Sequence, residues 1–181
     1  LSTGGIAVGN TVLTTAYAYT PGSDTWATVA PLPVGKRNHA AVTLQDGRVL
    51  AMGGYDGSAY VSTVYAYTPG SDTWATVAPL PAVRHYHAAV TLQDGRVLVI
   101  GGDDGTNAAA TVYAYTPGSD TWATVAPLPA VRHYHAAALL QDGRALSTGG
   151  IAVGNTVLTT AYALPTATPG RDALIGWLAS R

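Results

Sequence analysis

The sequence predicts an all-β fold, a β-propeller of four-stranded antiparallel blades that forms an incomplete ring. Three observations predict it. Trp26, Trp74 and Trp122 lie 48 residues apart, double glycines recur with the same spacing, and short apolar runs alternate with Asp-Gly or Pro-Gly turns. A period of about 40–50 residues with four strands in each repeat is typical of a propeller blade.

Each repeat contains four predicted strands. In the repeat over residues 79–126 they are HAAVTL (87–92), RVLVIGG (96–102), TVYAYT (111–116) and TWATVA (121–126). Asp-Gly between the first two apolar runs is a strong hairpin signal. A Pro-Gly-Ser-Asp turn joins the last two runs, and the following Ala-Pro-Leu-Pro interrupts strand pairing. We therefore expect one hairpin-linked sheet per repeat.

The side chains suit a blade that widens outward from a central axis. The first strand is rich in alanine, because inner strands crowd around the axis. The double glycine allows close backbone approach and a positive φ. The tryptophan of the fourth strand is large enough to cover the gap to the neighbouring blade, which widens toward the rim.

The strand count divides the chain into five segments. They are a partial blade with its second to fourth strands at 1–30, full blades at 31–78 and 79–126, a partial blade with its first three strands at 127–163, and a divergent segment at 164–181. This amounts to about 3.5 to 4 blades. In the divergent segment Trp177 is out of phase, and a short helix over 172–180 capped by Asp172 is the alternative to a fourth strand.

These motifs resemble the kelch-repeat family, in its bacterial form with nearly identical blades. The resemblance rests on the double glycine that closes the second strand and on a tyrosine and a tryptophan at fixed distances beyond it, and it extends to about residue 163. It implies a kelch-type propeller in which these residues are structural. They are Gly53, Gly54, Gly101, Gly102, Gly149, Gly150, Tyr65, Tyr113, Trp26, Trp74 and Trp122.

Two word-for-word duplications indicate recent amplification or deliberate design. One segment occurs at 63–89 and again at 111–137, and residues 1–18 recur at 146–163. Propellers close with about four to eight blades, and an isolated arc exposes blade faces and strand edges. Either the other blades are missing from this fragment, or two copies close a ring head to tail. We favour the homodimer, with six blades if the duplicated segments share one position and eight if both are kept.

Composition excludes several classes of function. The formal net charge is −1, and the sequence has no series of basic residues that could contact a phosphate backbone, so we expect no nucleic-acid partner. No apolar run is long enough to cross a membrane, and the absence of cysteine excludes disulfides and thiolate metal sites. The chain starts at Leu1 without a signal peptide, so we expect a fragment. Low charge with many Thr and Ala slightly favours a bacterial secreted or surface location, which the sequence does not fix.

The candidate ligand site follows from the kelch resemblance. It implies that the loop entering each first strand, with the loop after the double glycine, lines one mouth of the central channel. The ligand-facing residues would be Arg37, Asn38, Arg84, His85, Tyr86, Arg132, His133 and Tyr134, flanked by Tyr55, Asp56, Asp103, Asp104 and Asn107. Arginine forks and tyrosine faces suit peptide carboxylates, sugars and aromatic groups.

The alternative is that the repeated Arg and His side chains satisfy backbone carbonyls between blades. For His39, His87 and His135 we favour this structural role. The His-x-His pattern places two rings on one side of a strand. No third ligand at a fixed spacing and no nearby carboxylate accompany it, so we expect no metal.

We expect that the protein binds no cofactor and is not an enzyme. Some kelch propellers are copper-radical galactose oxidases, whose cofactor needs a tyrosine linked to a cysteine, and this chain has no cysteine. Glutamate is absent, most aspartates lie in turns, and no serine has a nucleophile-elbow sequence. Nearly identical blades also present the same residues repeatedly, whereas an active site needs different residues in different roles.

Three functions remain open. The leading one is a non-catalytic protein-binding or scaffold propeller whose ligand, a peptide or a glycan, is held at the channel mouth by the entry loops, where identical loops favour a repetitive ligand. The second is a carbohydrate-binding surface propeller that stacks a glycan on Tyr86 and Tyr134. The third is an engineered or recently amplified array that has no ligand and is of interest for its assembly.

Overall fold

A computed structural model describes residues 1–164, and these form four antiparallel sheets that we number as blades 1 to 4. Blade 1 contains β1 (Ser2–Thr3), β2 (Ala16–Thr20) and β3 (Thr25–Val29). Blade 2 contains β4 (Ala40–Thr43), β5 (Val49–Met52), β6 (Val64–Thr68) and β7 (Thr73–Val77). Blade 3 contains β8 (Ala88–Thr91), β9 (Val97–Ile100), β10 (Val112–Thr116) and β11 (Thr121–Val125). Blade 4 contains β12 (Ala136–Leu139), β13 (Ala145–Thr148) and β14 (Ala161–Leu164), with a short 3-10 turn at Val153–Asn155.

Strands that follow one another in the chain pair with one another in every blade, so each blade is a simple meander. The inner strands β4, β8 and β12 lie side by side, as they do around a propeller axis. The predicted fold class, an all-β incomplete propeller, is therefore confirmed. The divergent segment and its alternative helix over 172–180 lie outside the described residues. No helix within residues 1–164 has the length and apolar character needed to cross a bilayer.

The second strand of each full blade is buried on both faces, which explains its continuous apolar sequence. Leu50 and Met52 of β5 pack in one cluster with Val97 and Val99 of β9 in the next blade. Ala51, whose side chain points the other way, packs with Leu32 and Tyr65 in a separate cluster. Alternate residues of one strand thus join a blade to both of its neighbours.

Tryptophan and aspartate side chains join the outer parts of neighbouring blades. Trp74 Nε1 of blade 2 donates to Ala30 O at 2.8 Å, and the backbone N–H of Ala30 donates to Asp72 Oδ1 at 2.8 Å. Trp122 and Asp120 of blade 3 hold Ala78 in the same way. In blades 2 and 3, the fourth strand and the turn before it are therefore hydrogen-bonded to the chain segment that leaves the preceding blade.

Candidate functional site

Two sets of loops meet at one end of the blades and form what we call the mouth surface. The first set contains the entry loops at 36–39, 84–87 and 132–135, and the second contains the loops that follow the double glycines at 55–60, 103–108 and 151–157. In blade 2, Arg37 and Tyr55 exchange backbone hydrogen bonds of 3.0 and 2.9 Å. His85 and Asp103, and His133 and Ile151, pair in the same way. These bonds fix each entry loop against the second loop of its own blade.

The third residue of each entry loop adopts a left-handed backbone conformation. Asn38, Tyr86 and Tyr134 have φ of 58°, 52° and 55°. The N–H of Tyr86 donates to Asn38 O and the N–H of Tyr134 donates to Tyr86 O, both at 3.0 Å. This conformation is ordinary for asparagine but disfavoured for tyrosine. The hydrogen-bonded series places these three residues next to one another across blades 2, 3 and 4.

Four rings form a continuous aromatic stack, which consists of Tyr60, His85, Tyr86 and Tyr134. Tyr60 lies parallel to His85 with ring centroids 4.0 Å apart, and Tyr86 lies nearly parallel to Tyr134 at 3.7 Å. His85 joins the two pairs at 4.5 Å from Tyr86. Tyr60 is 41% exposed and Tyr134 is 54% exposed, whereas Tyr86 is partly buried between Tyr134, which stacks on it, and His85, which is tilted at 52° to it. The stack therefore offers open ring surface at its two ends.

A cation extends the stack in blade 2. The Arg37 guanidinium lies 4.7 Å from the centroid of the Tyr55 ring, which in turn packs edge-on against Tyr60 at 5.4 Å. A guanidinium over a tyrosine face is held in position yet keeps donors available on its outer side. The mouth surface thus combines aromatic faces with one oriented positive charge.

Most aspartates of the mouth surface are used by their own loops. Asp56 Oδ1 accepts hydrogen bonds from the N–H groups of Ser58 and Ala59, both at 2.8 Å. Asp104 Oδ1 does the same for Thr106 and Asn107. These backbone donors lower the pKa of both carboxyl groups. The two aspartates shape turns, and the chemistry available to a ligand is mainly that of the aromatic stack and Arg37.

The structure does not place Arg84 and Arg132 where the resemblance implies. They are only 3% and 0% exposed. Arg132 donates to Gly149 O at 2.8 Å and to Thr160 O at 3.1 Å, and Arg84 donates to Thr111 Oγ1 at 3.0 Å. Both guanidinium groups point under the entry loop into their own blade. Arg132 contacts backbone carbonyls there, as the alternative described, but within one blade and not between blades, whereas Arg84 contacts side-chain hydroxyl groups.

Lys36 occupies the position of these arginines in blade 2. Its Nζ donates to Gly53 O at 2.9 Å, to Thr63 O at 3.1 Å and to Thr63 Oγ1 at 2.7 Å, and it lies 5.0 Å from the Tyr65 ring centroid. The side chain is 1% exposed, and this burial lowers its pKa to about 8. Aligning the repeats would have revealed this residue, since it stands where the other entry loops carry arginine.

The alkaline stability of the protein should therefore depend on Lys36. Below pH 8 the Lys36 amine is protonated in both the folded and the unfolded state, and burial of its charge lowers the free energy of unfolding. As the pH rises from 8 toward 10.5 the folded state loses its proton first, so stability rises. Relative to Lys36→Arg, which stays charged, the native protein should gain about 2 kcal/mol between pH 8 and 9.5 in urea unfolding. Parallel pH profiles of the two proteins would contradict this assignment.

The three repeated histidines lie between neighbouring blades. A Cβ added to Gly53 would lie 3.1 Å from His87 Cε1, and one added to Gly102 would lie 2.7 Å from His87 Cβ. His39 and His135 have the same relation to the double glycines around them. The glycines therefore leave the space that each imidazole ring fills. Burial lowers the pKa of His87 to about 3 and the pKa of His39 and His135 to about 4.

The mouth surface brings together six of the eight candidate residues and adds one that sequence reasoning missed. The six are Arg37, Asn38, His85, Tyr86, His133 and Tyr134. The addition is Tyr60, which has no counterpart in the loop of blade 3, where the residue paired with Asp103 is Ala108. Within the described part of the chain, no three His, Asp or Glu side chains are arranged to hold a metal ion.

Comparisons with known proteins agree with this architecture. A family model described as the KLHDC2/KLHL20/DRC7 Kelch-repeats domain matches residues 3–168. A solved structure titled "Structure of YjhT" is similar with a TM-score of 0.74 at 16% sequence identity, over 88% of this chain and 52% of that one. The chain thus spans about half the length of that structure, and identity this low shows the fold alone. A search of curated proteins finds no match.

Proposed function

This chain belongs to the kelch-repeat family, and from that premise we propose that it is a non-catalytic protein-binding or scaffold module whose ligand docks on the aromatic stack of the mouth surface. The family match confirms the resemblance carried by the double glycines, tyrosines and tryptophans. A kelch propeller fold supports a protein-binding role in general. The ligand and its position are the parts that we propose.

The aromatic stack is the observation that carries the proposal. Tyrosine, tryptophan and arginine dominate binding energy at protein interfaces, because they bury large rigid surfaces and carry polar groups. Tyr134 is 54% exposed as a residue, and its backbone conformation is costly for tyrosine. Asn38 occupies the same position at lower cost, so the turn itself does not require an aromatic ring. We therefore attribute the tyrosine at this position to ligand binding.

A peptide segment suits this surface better than a glycan. A sugar platform needs an open tyrosine face, and Tyr86 is partly buried, with Tyr134 stacked on it at 3.7 Å and His85 packed at 52° to its plane. Of the two tyrosines expected to hold a glycan, Tyr134 is the more exposed. Arg37, in contrast, lies at the other end of the same surface and offers a cation to a peptide carboxylate or carbonyl. The span from Tyr134 to Arg37 favours an extended ligand.

The polar side chains of the mouth surface favour binding over catalysis. The carboxylates of Asp56 and Asp104 accept hydrogen bonds within their own turns, and the side chain of His87 is buried between blades 2 and 3. Among the described mouth residues, the one contact between a histidine and a carboxylate joins His85 Nε2 to Asp103 Oδ1 at 3.9 Å, which is too long for a hydrogen bond. These placements support a binding role.

Selection of peptides on the native chain tests the proposal. A random peptide library panned against the protein should yield binders, and Tyr134→Ala should weaken them at least about tenfold, or 1.4 kcal/mol. Arg144→Ala is the matched control, because Arg144 is exposed, pairs with Asp142 and lies at the opposite end of blade 4. If no peptide is selected, or if Tyr134→Ala binds the selected peptides as tightly as the native chain, the proposal fails. A glycan array with signal that depends on Tyr134 would assign the site to carbohydrate instead.

A further inference from the structure

We propose that two copies of the chain of residues 1–181 close a six-bladed ring by exchanging strands. In this ring, residues 1–29 of each copy replace residues 145–164 of the other and pair with its strand β12. The partner is a second copy of this chain, and the contact continues the interface that already joins blades 1 to 4. The inference goes beyond the proposed function, and its test involves no ligand.

The interface between blades repeats along the chain. Besides the tryptophan and aspartate contacts at the rim, Thr91 Oγ1 donates to Thr43 O at 2.7 Å near the inner strands. Gln45 Nε2 donates to Gln93 O at 2.7 Å, and Gln93 Nε2 donates to Gln141 O at 3.3 Å. Each blade thus carries one set of groups for the preceding blade and a second set for the following one. A head-to-tail interface of this kind continues until the ring closes.

Blade 1 carries the groups that contact a preceding blade, but these groups have no such blade to contact within residues 1–164. Trp26 is 59% exposed, although Trp74 and Trp122 at the same position are half-buried and donate to the preceding blade. Within residues 1–164, no residue accepts a hydrogen bond from Trp26 Nε1, and no first strand pairs with β1. Blade 1 therefore has a fourth strand ready to grip a preceding segment.

Blade 3 leads into the segment that blade 1 would grip. Ala126 stands where Ala30 and Ala78 are held by a tryptophan and an aspartate of the following blade. In the chain's own continuation, the positions aligned with Asp24 and Trp26 are Pro169 and Arg171. Pro169 has no side-chain acceptor, so the sequence of this copy lacks the carboxylate that Asp72 and Asp120 provide at that position. Asp24 and Trp26 of a second copy supply both the carboxylate and the indole N–H.

The exchange leaves most contacts of blade 4 unchanged. Residues 1–18 and 146–163 are identical, so they present the same side chains to β12 and to blade 3. Strand β12 pairs Ala136 with Thr148 and Ala137 with Ser147, and Thr3 and Ser2 of the second copy provide the same partners. The exchanged blade additionally receives β3 with Trp26. Two such blades form together in a symmetric dimer, and their gain offsets the entropy lost on association.

The mass of the full chain in solution is the first test. We expect a dimer whose dissociation constant rises at least about tenfold in Trp26→Ala, since a buried tryptophan is lost from each junction. Val8→Ser is the matched control, because Val8 is 101% exposed in the turn between the paired residues Ile6 and Val12 of blade 1. It should leave the dissociation constant unchanged. A native chain that remains monomeric at all concentrations would overturn the proposal.

A pair of introduced cysteines distinguishes strand exchange from simple docking of two intact arcs. The chain has no cysteine of its own. Ser2→Cys combined with Ala137→Cys should give a covalent dimer on oxidation, because these residues become direct cross-strand neighbours only in the exchanged ring. Ala137→Cys combined with Ser147→Cys reports the unexchanged blade as a cross-link within one chain. If only the second pair reacts, the strands are not exchanged.

Discussion

Acidification from pH 7 to pH 5 should destabilise the protein by about 6 kcal/mol, a large part of the stability of an ordinary domain. The cause is the set of histidines between the blades, His39, His87 and His135, whose pKa values burial lowers to about 4, 3 and 4. In the unfolded chain the same groups titrate near 6.5. Between these pKa values the histidines are protonated in the unfolded state but neutral in the folded state, so the free energy of unfolding falls as the pH falls.

The surroundings of these histidines offer little compensation for a positive charge, and only His135 has a contact that raises its pKa, a backbone hydrogen bond at Ile100. The charges that act on them are basic, namely Lys36 on His39, Arg84 on His87 and Arg132 on His135. Neither ring nitrogen of His87 has a hydrogen-bond partner within residues 1–164. A proton added to this ring would therefore be both desolvated and repelled.

Urea unfolding at pH 7, 6 and 5 measures the effect. The unfolding free energy of the native chain should fall along this series, because each of the three histidines contributes about 2 kcal/mol by pH 5. His87→Asn should remove about one third of the pH dependence, whatever it does to the stability at pH 7. An unfolding free energy that stays constant from pH 7 to pH 5 would show that the histidines are protonated in the folded state.

The strands and blades were predictable because their signals are local and repeated. Apolar runs bounded by Asp-Gly or Pro-Gly define the hairpins, and a strand such as Val97–Ile100 reveals by its continuous apolar sequence that both faces are covered. The spacing of the tryptophans then shows that the sheets repeat. None of these signals depends on contacts between residues far apart in the chain.

The direction of the entry-loop side chains was not predictable in the same way. In Arg84-His85-Tyr86 alternate side chains point to opposite sides, and the sequence does not say which side faces the channel mouth. The left-handed conformation at Tyr86 interrupts this alternation, and Arg84 is buried under the loop. Tyr60 was missed for a different reason, since repeats highlight what recurs and this residue does not recur.

This contrast separates the residues that build the ring from those available for recognition. Residues that repeat without exception, such as the double glycines and His87, lie in the walls between blades. The mouth surface carries positions where the repeats differ. There Tyr55, Asp103 and Ile151 occupy the same place in three blades. Any specificity of the mouth surface would therefore come from departures from the repeat.

Replacing the first glycine of a double-glycine pair should be among the most damaging single substitutions in the protein. Gly101 has φ of 58°, a conformation that costs alanine about 1–2 kcal/mol. A Cβ at this position would also lie 2.6 Å from the carbonyl oxygen of Arg132 and 2.9 Å from His135 Cε1. That carbonyl accepts a hydrogen bond from the N–H of Gly102 at 2.8 Å, so it cannot retreat without breaking the junction between blades 3 and 4.

Gly101→Ala should consequently lower the unfolding free energy by at least about 3 kcal/mol, because backbone strain and loss of the blade junction add. Gly118→Ala is the matched control in the same blade. Gly118 lies in the turn after β10, has no positive φ, and an added Cβ would meet nothing within 4 Å. It should change stability by less than about 1 kcal/mol and in either direction. Equal losses in the two variants would mean that the double glycine is not what brings neighbouring blades into contact.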